Sequence, residues 1–162
     1  MIERKYDLDS GGCICNHASV VPNNLVLYSA AGCIALRARR FSRLVTRHYE
    51  RALREAGLTQ GQFSLLGAVA MEEPLSPIAL ARMLDLEKST LSRNLRPLIE
   101  SKFLVCEAGN AGGQSLRITR KGREVLRRAL PAWKKAQAKM IALLGADAVS
   151  TLDAMIAAMA EC

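Results

Sequence analysis

The chain holds 162 residues, 50% of them apolar and 4% aromatic, and its 23 lysines and arginines against 15 acidic residues leave a formal charge of +8. A chain of this length buries roughly 68–70% of its unfolded surface, which excludes general disorder and any need for disulfide or metal staples, and one domain is expected. Charged residues are an ordinary 23% of the total, so the excess lies in sign and points to a polyanionic partner, nucleic acid before an anionic membrane surface.

The longest apolar stretch, Val20 to Leu36, is broken by Pro22, Asn23, Asn24 and Gly32 and does not read as a membrane span. Near the start, Glu3, Asp7 and Asp9 mix with Arg4 and Lys5, unlike the basic opening of a secretory signal, so a cytoplasmic location is expected. Cys13, Cys15, Cys33, Cys106 and Cys162 are odd in number and lack a secreted context, which favours thiols over a disulfide framework. Residues 1–32 form a leader whose pattern specifies no element. The positive excess is concentrated in two blocks, residues 37–60 and 87–128.

From Phe41, the residues Phe41, Leu44, Val45, Ala52 and Ala56 recur at three- and four-residue steps, which predicts a long amphipathic helix ending at Gly57. Arg40, Arg43, Arg47, Arg51 and Arg54 make a separate stripe on it, either a solvated face or a DNA contact. Thr59 and Gln62 have capping-box spacing and open a second helix through Phe63, Leu65, Leu66, Val69 and Ala70, which stops before Glu73 and Pro74. Ser76 followed by Pro77 opens a short helix through Ile78, Leu80, Ala81 and Met83. Asp85 and Leu86 read as a turn. The next helix is expected from Lys88 to Ser101, with Leu91, Leu95, Leu98 and Ile99 inward, Lys88, Ser89, Ser92, Arg93 and Arg96 outward, and a kink at Pro97. Phe103 to Cys106 and Ser115 to Ile118 flank a Gly-rich tip at residues 109–113, the pattern of a hairpin. Thr119 caps a long helix interrupted at Pro131 and closed by Gly145, and Val149, Leu152, Ile156 and Met159 mark a last one. Trp133, Met140, Ile141 and Leu144, with the last helix, offer more apolar surface than a short chain covers, so pairing between subunits is expected.

Two short helices joined by a tight turn, a basic and hydroxyl-rich second helix and then a hairpin give the order of a winged helix-turn-helix. The second helix of such a unit enters the major groove, where its N-terminal side chains reach base edges. KSTLSR at residues 88–93 suits that role or that of an ordinary exposed face: Lys88 and Arg93 contact phosphate or guanine, and Ser89, Thr90 and Ser92 are short enough to permit close approach.

Over roughly residues 33–160 the sequence resembles the MarR family of bacterial transcriptional regulators. The resemblance rests on LTQGQFSLLGAV from Leu58 to Val69, LARMLDLEKSTLSRNLRPLIESKFLV from Leu80 to Val105, and LRITRKG from Leu116 to Gly122. It implies a mainly α (α+β) fold in which residues 58–122 form the winged helix-turn-helix and helices in 33–57 and 123–162 form the dimerisation region of a homodimer on double-stranded DNA. By position it assigns Ser89, Thr90, Ser92 and Arg93 to base and phosphate contact, with Lys88 and Arg96 beside them. It also implies an effector site between dimerisation and DNA-binding regions for a small aromatic or lipophilic molecule, with Arg47, His48 and Tyr49 on the relevant helix. The tip departs from the family pattern: Gly109, Asn110, Ala111, Gly112, Gly113 and Gln114 include no arginine for the minor groove. Asn110, Gln114 and Arg117 are then the wing's candidate contacts, Arg117 reading equally as an exposed strand residue.

No catalytic constellation, Walker-type loop, nucleophile elbow or paired zinc motif occurs, so neither an enzyme nor a cofactor is expected. Cys13, Cys15 and His17 have metal-fragment spacing but lack a fourth ligand. Cys13, Cys15 and Cys33 precede or open the first helix, and the arginines beginning at Arg37 give Cys33 the cationic setting of a reactive thiol, although a small buried apolar residue is the plainer reading. The expected function is a sequence-specific DNA-binding regulator, a repressor released by a small molecule or a redox signal. The alternative is an architectural DNA-binding protein without operator or effector.

Overall fold

The computed structural model describes residues 32–109 and 113–160, and the chain divides into two compact units, residues 1–39 and 40–162. Of the first, the described part is the opening of helix α1 (Ile34–Leu53), where Ile34 and Leu36 are exposed. The remainder of the leader, with Cys13, Cys15 and His17, lies outside the described residues.

In the second unit, α1 passes into one 3-10 turn (Arg54–Ala56) that ends at Gly57 with φ 70°, a left-handed conformation that glycine adopts without a Cβ clash. Then follow α2 (Gln60–Glu72), α3 (Pro77–Met83), α4 (Lys88–Glu100), strands β1 (Leu104–Ala108) and β2 (Gln114–Ile118), α5 (Arg120–Leu144) and α6 (Ala148–Ala160). The helix starts follow local chemistry. Thr59 and Gln62 form the expected reciprocal capping box, Ser76 Oγ accepts from Ala79 N–H, and Thr119 Oγ1 accepts from Gly122 N–H. Each such cap is worth about 1 kcal/mol.

The strands pair antiparallel in the register Leu104 with Ile118 through Ala108 with Gln114. Leu75, in the segment before α3, exchanges both backbone hydrogen bonds with Leu116, at 3.1 and 2.8 Å, so β2 is flanked on both sides at that residue. Leu53, Leu65, Leu66, Val69, Leu80, Leu98, Leu104 and Leu116 are fully enclosed. Burying each contributes about 1.5–3 kcal/mol relative to exposure. This core draws on α1, α2, α3, α4 and both strands and fixes the helix-turn-helix against the hairpin.

Three expectations are corrected. Pro131 does not interrupt α5, which runs unbroken for 25 residues. A proline deletes one intrahelical bond, and burial of Ala129 and Ala136 on either side holds the helix through that loss. Ile99 is 38% exposed rather than inward, because Leu91, Leu95 and Leu98 already fill the buried side of α4. Trp133 is half-buried within its own subunit and stacks on Phe63 of α2 with ring centroids 5.7 Å apart. Among the described residues, no single helix is long and apolar enough to cross a membrane.

Candidate nucleic-acid interface

The path from α3 to α4 sets the interface. Leu80 is enclosed and anchors α3; after Met83 the chain reverses through Asp85 at φ 48°, and Leu86 N–H donates to Ala81 O at 2.9 Å. Helix α4 then starts at Lys88, and Leu91, Leu95 and Leu98, at four- and three-residue steps, press one side into the core. The opposite side is thereby committed to solvent: Lys88, Ser89, Ser92, Arg93 and Arg96 are exposed and Thr90 is half-buried.

Arg96 pairs with Glu100 at 3.3 Å, but both side chains are mostly in water, where such a pair is worth under about 1 kcal/mol and yields readily to a phosphate. Lys88 and Arg93 have no ion pair among the described residues. Helix α4 therefore presents two uncompensated cations among three short hydroxyl side chains, a surface able to donate to phosphate oxygens and base edges.

The wing stands beside this helix. An open groove of about 760 Å³ runs between α3, the first turn of α4 and the returning strand, with Pro77, Ile78, Leu86 and Leu91 on its apolar walls and Lys88 and Gln114 at its edges. It brings Gln114 and the start of α4 to one site. Arg117, on β2, pairs with Glu107 across the hairpin at 3.6 Å, with both side chains about half exposed. Asn110 lies outside the described residues.

Arg47, His48 and Tyr49 do not converge. His48 Nε2 donates to Ala136 O at 3.0 Å, and the Tyr49 hydroxyl donates to Gln137 Oε1, so both point into α5. Burial raises the Tyr49 phenol above its ordinary range by disfavouring the charged form. Arg47 lies on the exposed face, where its carbonyl accepts from Arg51 Nε at 3.3 Å. Cys33 is partly exposed just before α1.

Sequence reasoning overlooked Glu73 at the end of α2. Its Oε2 accepts the Ile118 backbone N–H at 3.1 Å, and its Oε1 is held by Arg123 of α5. These partners lie 45 and 50 residues away, beyond the reach of periodicity or local spacing.

The MarR family model matches residues 56–112, the span of α2 through the wing tip. No curated protein matches the sequence. Among solved structures, the M. tuberculosis transcriptional regulator MosR is 31% identical, with a TM-score of 0.73 over 81% of this chain and 98% of its own. MosR in complex with DNA is 30% identical, with a TM-score of 0.71 over 80% of this chain and 99% of that one. The transcriptional repressor CouR, bound to a 23-mer DNA duplex, shares the fold at 21% identity, with a TM-score of 0.71 over 83% of this chain and 96% of that one. With the helix-turn-helix, the wing and the matched family region in agreement, the chain belongs to the MarR family of transcriptional regulators.

Proposed function

We propose that the protein is a homodimeric, sequence-specific DNA-binding regulator that represses by occupying an operator and leaves it when a small-molecule or redox signal changes the dimer. The observation that carries this reading is α4: three leucines lock one side into the core while Lys88, Ser89, Ser92 and Arg93 stand exposed on the other. Ser89, Thr90, Ser92 and Arg93 read base edges and phosphates, Lys88 and Arg96 hold phosphates, and Asn110, Gln114 and Arg117 add wing contacts. The DNA complex of MosR, at 30% identity, supports a duplex as the partner.

Residues 58–122 serve as the DNA-binding lobe, and the helices within 33–57 and 123–162 pair the subunits. Exposure of Leu143, Leu144, Val149, Met155, Ile156 and Met159 supports the pairing, since contiguous apolar patches of this kind are rare in monomers. A twofold dimer also matches two half-sites about one helical turn apart.

The signal enters through His48 and Tyr49 at the α1–α5 junction, with Arg47 on the exposed face of the same helix, or through Cys13, Cys15 and Cys33. CouR bound to p-coumaroyl-CoA and PcaV in complex with its natural ligand support a small-molecule effector, for which we keep the small aromatic or lipophilic class. Reversible release of DNA by mild peroxide that Cys33→Ser abolishes would support the thiol route; unchanged affinity after complete thiol oxidation would leave the ligand route.

The experiment that tests the function is a map of binding sites across the native genome followed by titration of the recovered site and a scrambled duplex at one salt concentration. Preference for the site by roughly 10³ or more is expected, and equal affinity would instead identify an architectural protein.

A further inference from the structure

Helix α1 carries six arginines and no lysine, and Glu50 is its single carboxylate. Arg40, Arg43, Arg47 and Arg51 recur at three- and four-residue steps, and Arg54 continues the row in the 3-10 turn. All five side chains are exposed, and none forms an ion pair among the described residues. The row lies on the side of the helix opposite Val45, Tyr49 and Ala52, which pack inward or are half-buried.

Such a row is costly to keep. Like charges three and four residues apart repel along a helix, and here four such pairs follow one another. Further cations in the opening turns of α1, with no acidic residue in the first turn, oppose the positive end of the helix dipole. A merely solvated face serves as well with lysine and with interspersed glutamate, an arrangement that adds helix stability. The uniform choice of arginine indicates planar two-pronged donation to oxyanions, the geometry that guanidinium offers and ammonium lacks.

Resting on the reading of the protein as a DNA-binding regulator, we propose that the Arg40–Arg54 row is a second, sequence-independent contact for the phosphate backbone of duplex DNA outside the operator. From Arg40 to Arg51 the row is about 16 Å long. Duplex DNA presents one negative charge per about 1.7 Å of axis, so a rigid row of this length meets several phosphates whatever the sequence. A membrane surface fits less well, because an interfacial helix buries its apolar side in lipid, and here Tyr49 and Leu53 are buried in the protein itself.

The test uses the full chain, an operator-length duplex, and the same operator with long flanks of random sequence. Wild type binds the flanked duplex with a steeper dependence of log K on log salt. The triple variant Arg40→Gln, Arg43→Gln, Arg51→Gln lowers that slope by roughly 0.9 for each phosphate it no longer neutralises, up to about 3, with little change on the operator-length duplex. The matching triple lysine variant keeps most of the slope, which separates charge from altered helix structure. Equal slopes for wild type and the glutamine variant on flanked DNA would overturn the proposal. So would vesicles of phosphatidylserine that retain wild type but not the variant while DNA binding stays unchanged. Failure of wild type to prefer the operator over a random duplex is a separate result that overturns operator specificity and leaves the slope comparison readable.

Discussion

The backbone N–H of Ile118, at the base of the wing, donates to Glu73 Oε2 at 3.1 Å, while Arg123 in the first turn of α5 holds the other carboxylate oxygen. One side chain at the end of α2 thus joins the wing hairpin to the helix that leads into the proposed dimer region. Glu73→Ala leaves the Ile118 N–H, in a residue only 6% exposed, without its partner. We expect a loss of about 1–3 kcal/mol in urea unfolding. Glu73→Gln keeps an acceptor oxygen and should lose less. Arg127→Ala, which removes a partner from an exposed pair with Glu124, serves as the comparison. Equal losses from Glu73→Ala and Arg127→Ala would show that the link carries no special weight.

Gly122 is a position of close approach. A Cβ there would collide with Phe103 O and lie 2.8 Å from Ile118 Cγ1. Backbone cannot yield as a flexible side chain does, so Gly122→Ala is expected to destabilise by about 1–3 kcal/mol, the usual cost of overpacking. A Cβ on Gly113 meets nothing within 4 Å, and Gly113→Ala should leave the unfolding midpoint nearly unchanged. Similar midpoints for the two variants would contradict the geometry.

Readout of DNA should be carried mainly by α4. Arg93→Ala is expected to weaken operator binding by about 1–3 kcal/mol and to relax preference at one position per half-site if the side chain reads guanine. An even fall across all sequences would identify a phosphate contact instead. Replacing Gln114 should cost less, because a tip without arginine lacks the strongest minor-groove donor. Titrations against a panel of single-base operator variants distinguish these outcomes, and equal losses from Arg93→Ala and Gln114→Ala would mean that the wing shares the readout.

The exposed apolar face of α6 gives the assembly prediction. Met155, Ile156 and Met159 are 60%, 58% and 73% exposed. Light scattering at micromolar concentration should report a dimer, and Ile156→Glu with Met159→Glu should shift it toward monomer and make thermal unfolding concentration-dependent. A wild-type monomer would count directly against the pairing.

Elements governed by neighbours in sequence were legible before the structure. Thr59 with Gln62, Ser76 with Pro77, and Thr119 announce helix starts through side-chain bonds that span three residues, and the glycines at 109 and 113 announce a turn. What pattern missed depends on distant chain. Trp133 looks like surplus surface until Phe63 of α2 is seen to cover it. Ile99 has the right spacing to be buried, but three leucines have already filled that side. Pro131 breaks a rule of isolated helices that packing of Ala129 and Ala136 overrides. At the candidate interface the exposed side of α4 was readable from composition and order. The Glu73 link was not, since it joins three segments that only the fold brings together.

The bridge between Leu75 and Leu116 divides the hairpin mechanically. At Leu116, β2 is gripped from both sides; beyond it, Ser115 and Gln114 are paired, among the described residues, only to β1. Leu116 acts as a fulcrum and the outer wing as a short cantilever. Bending or lengthening the free arm disturbs no enclosed side chain, since the buried strand residues Leu104, Leu116 and Ile118 all sit at or behind the pivot. Gln114, exposed on the free arm, can therefore be exchanged without renegotiating the core, and this end of the hairpin is free to diverge while the scaffold stays constant.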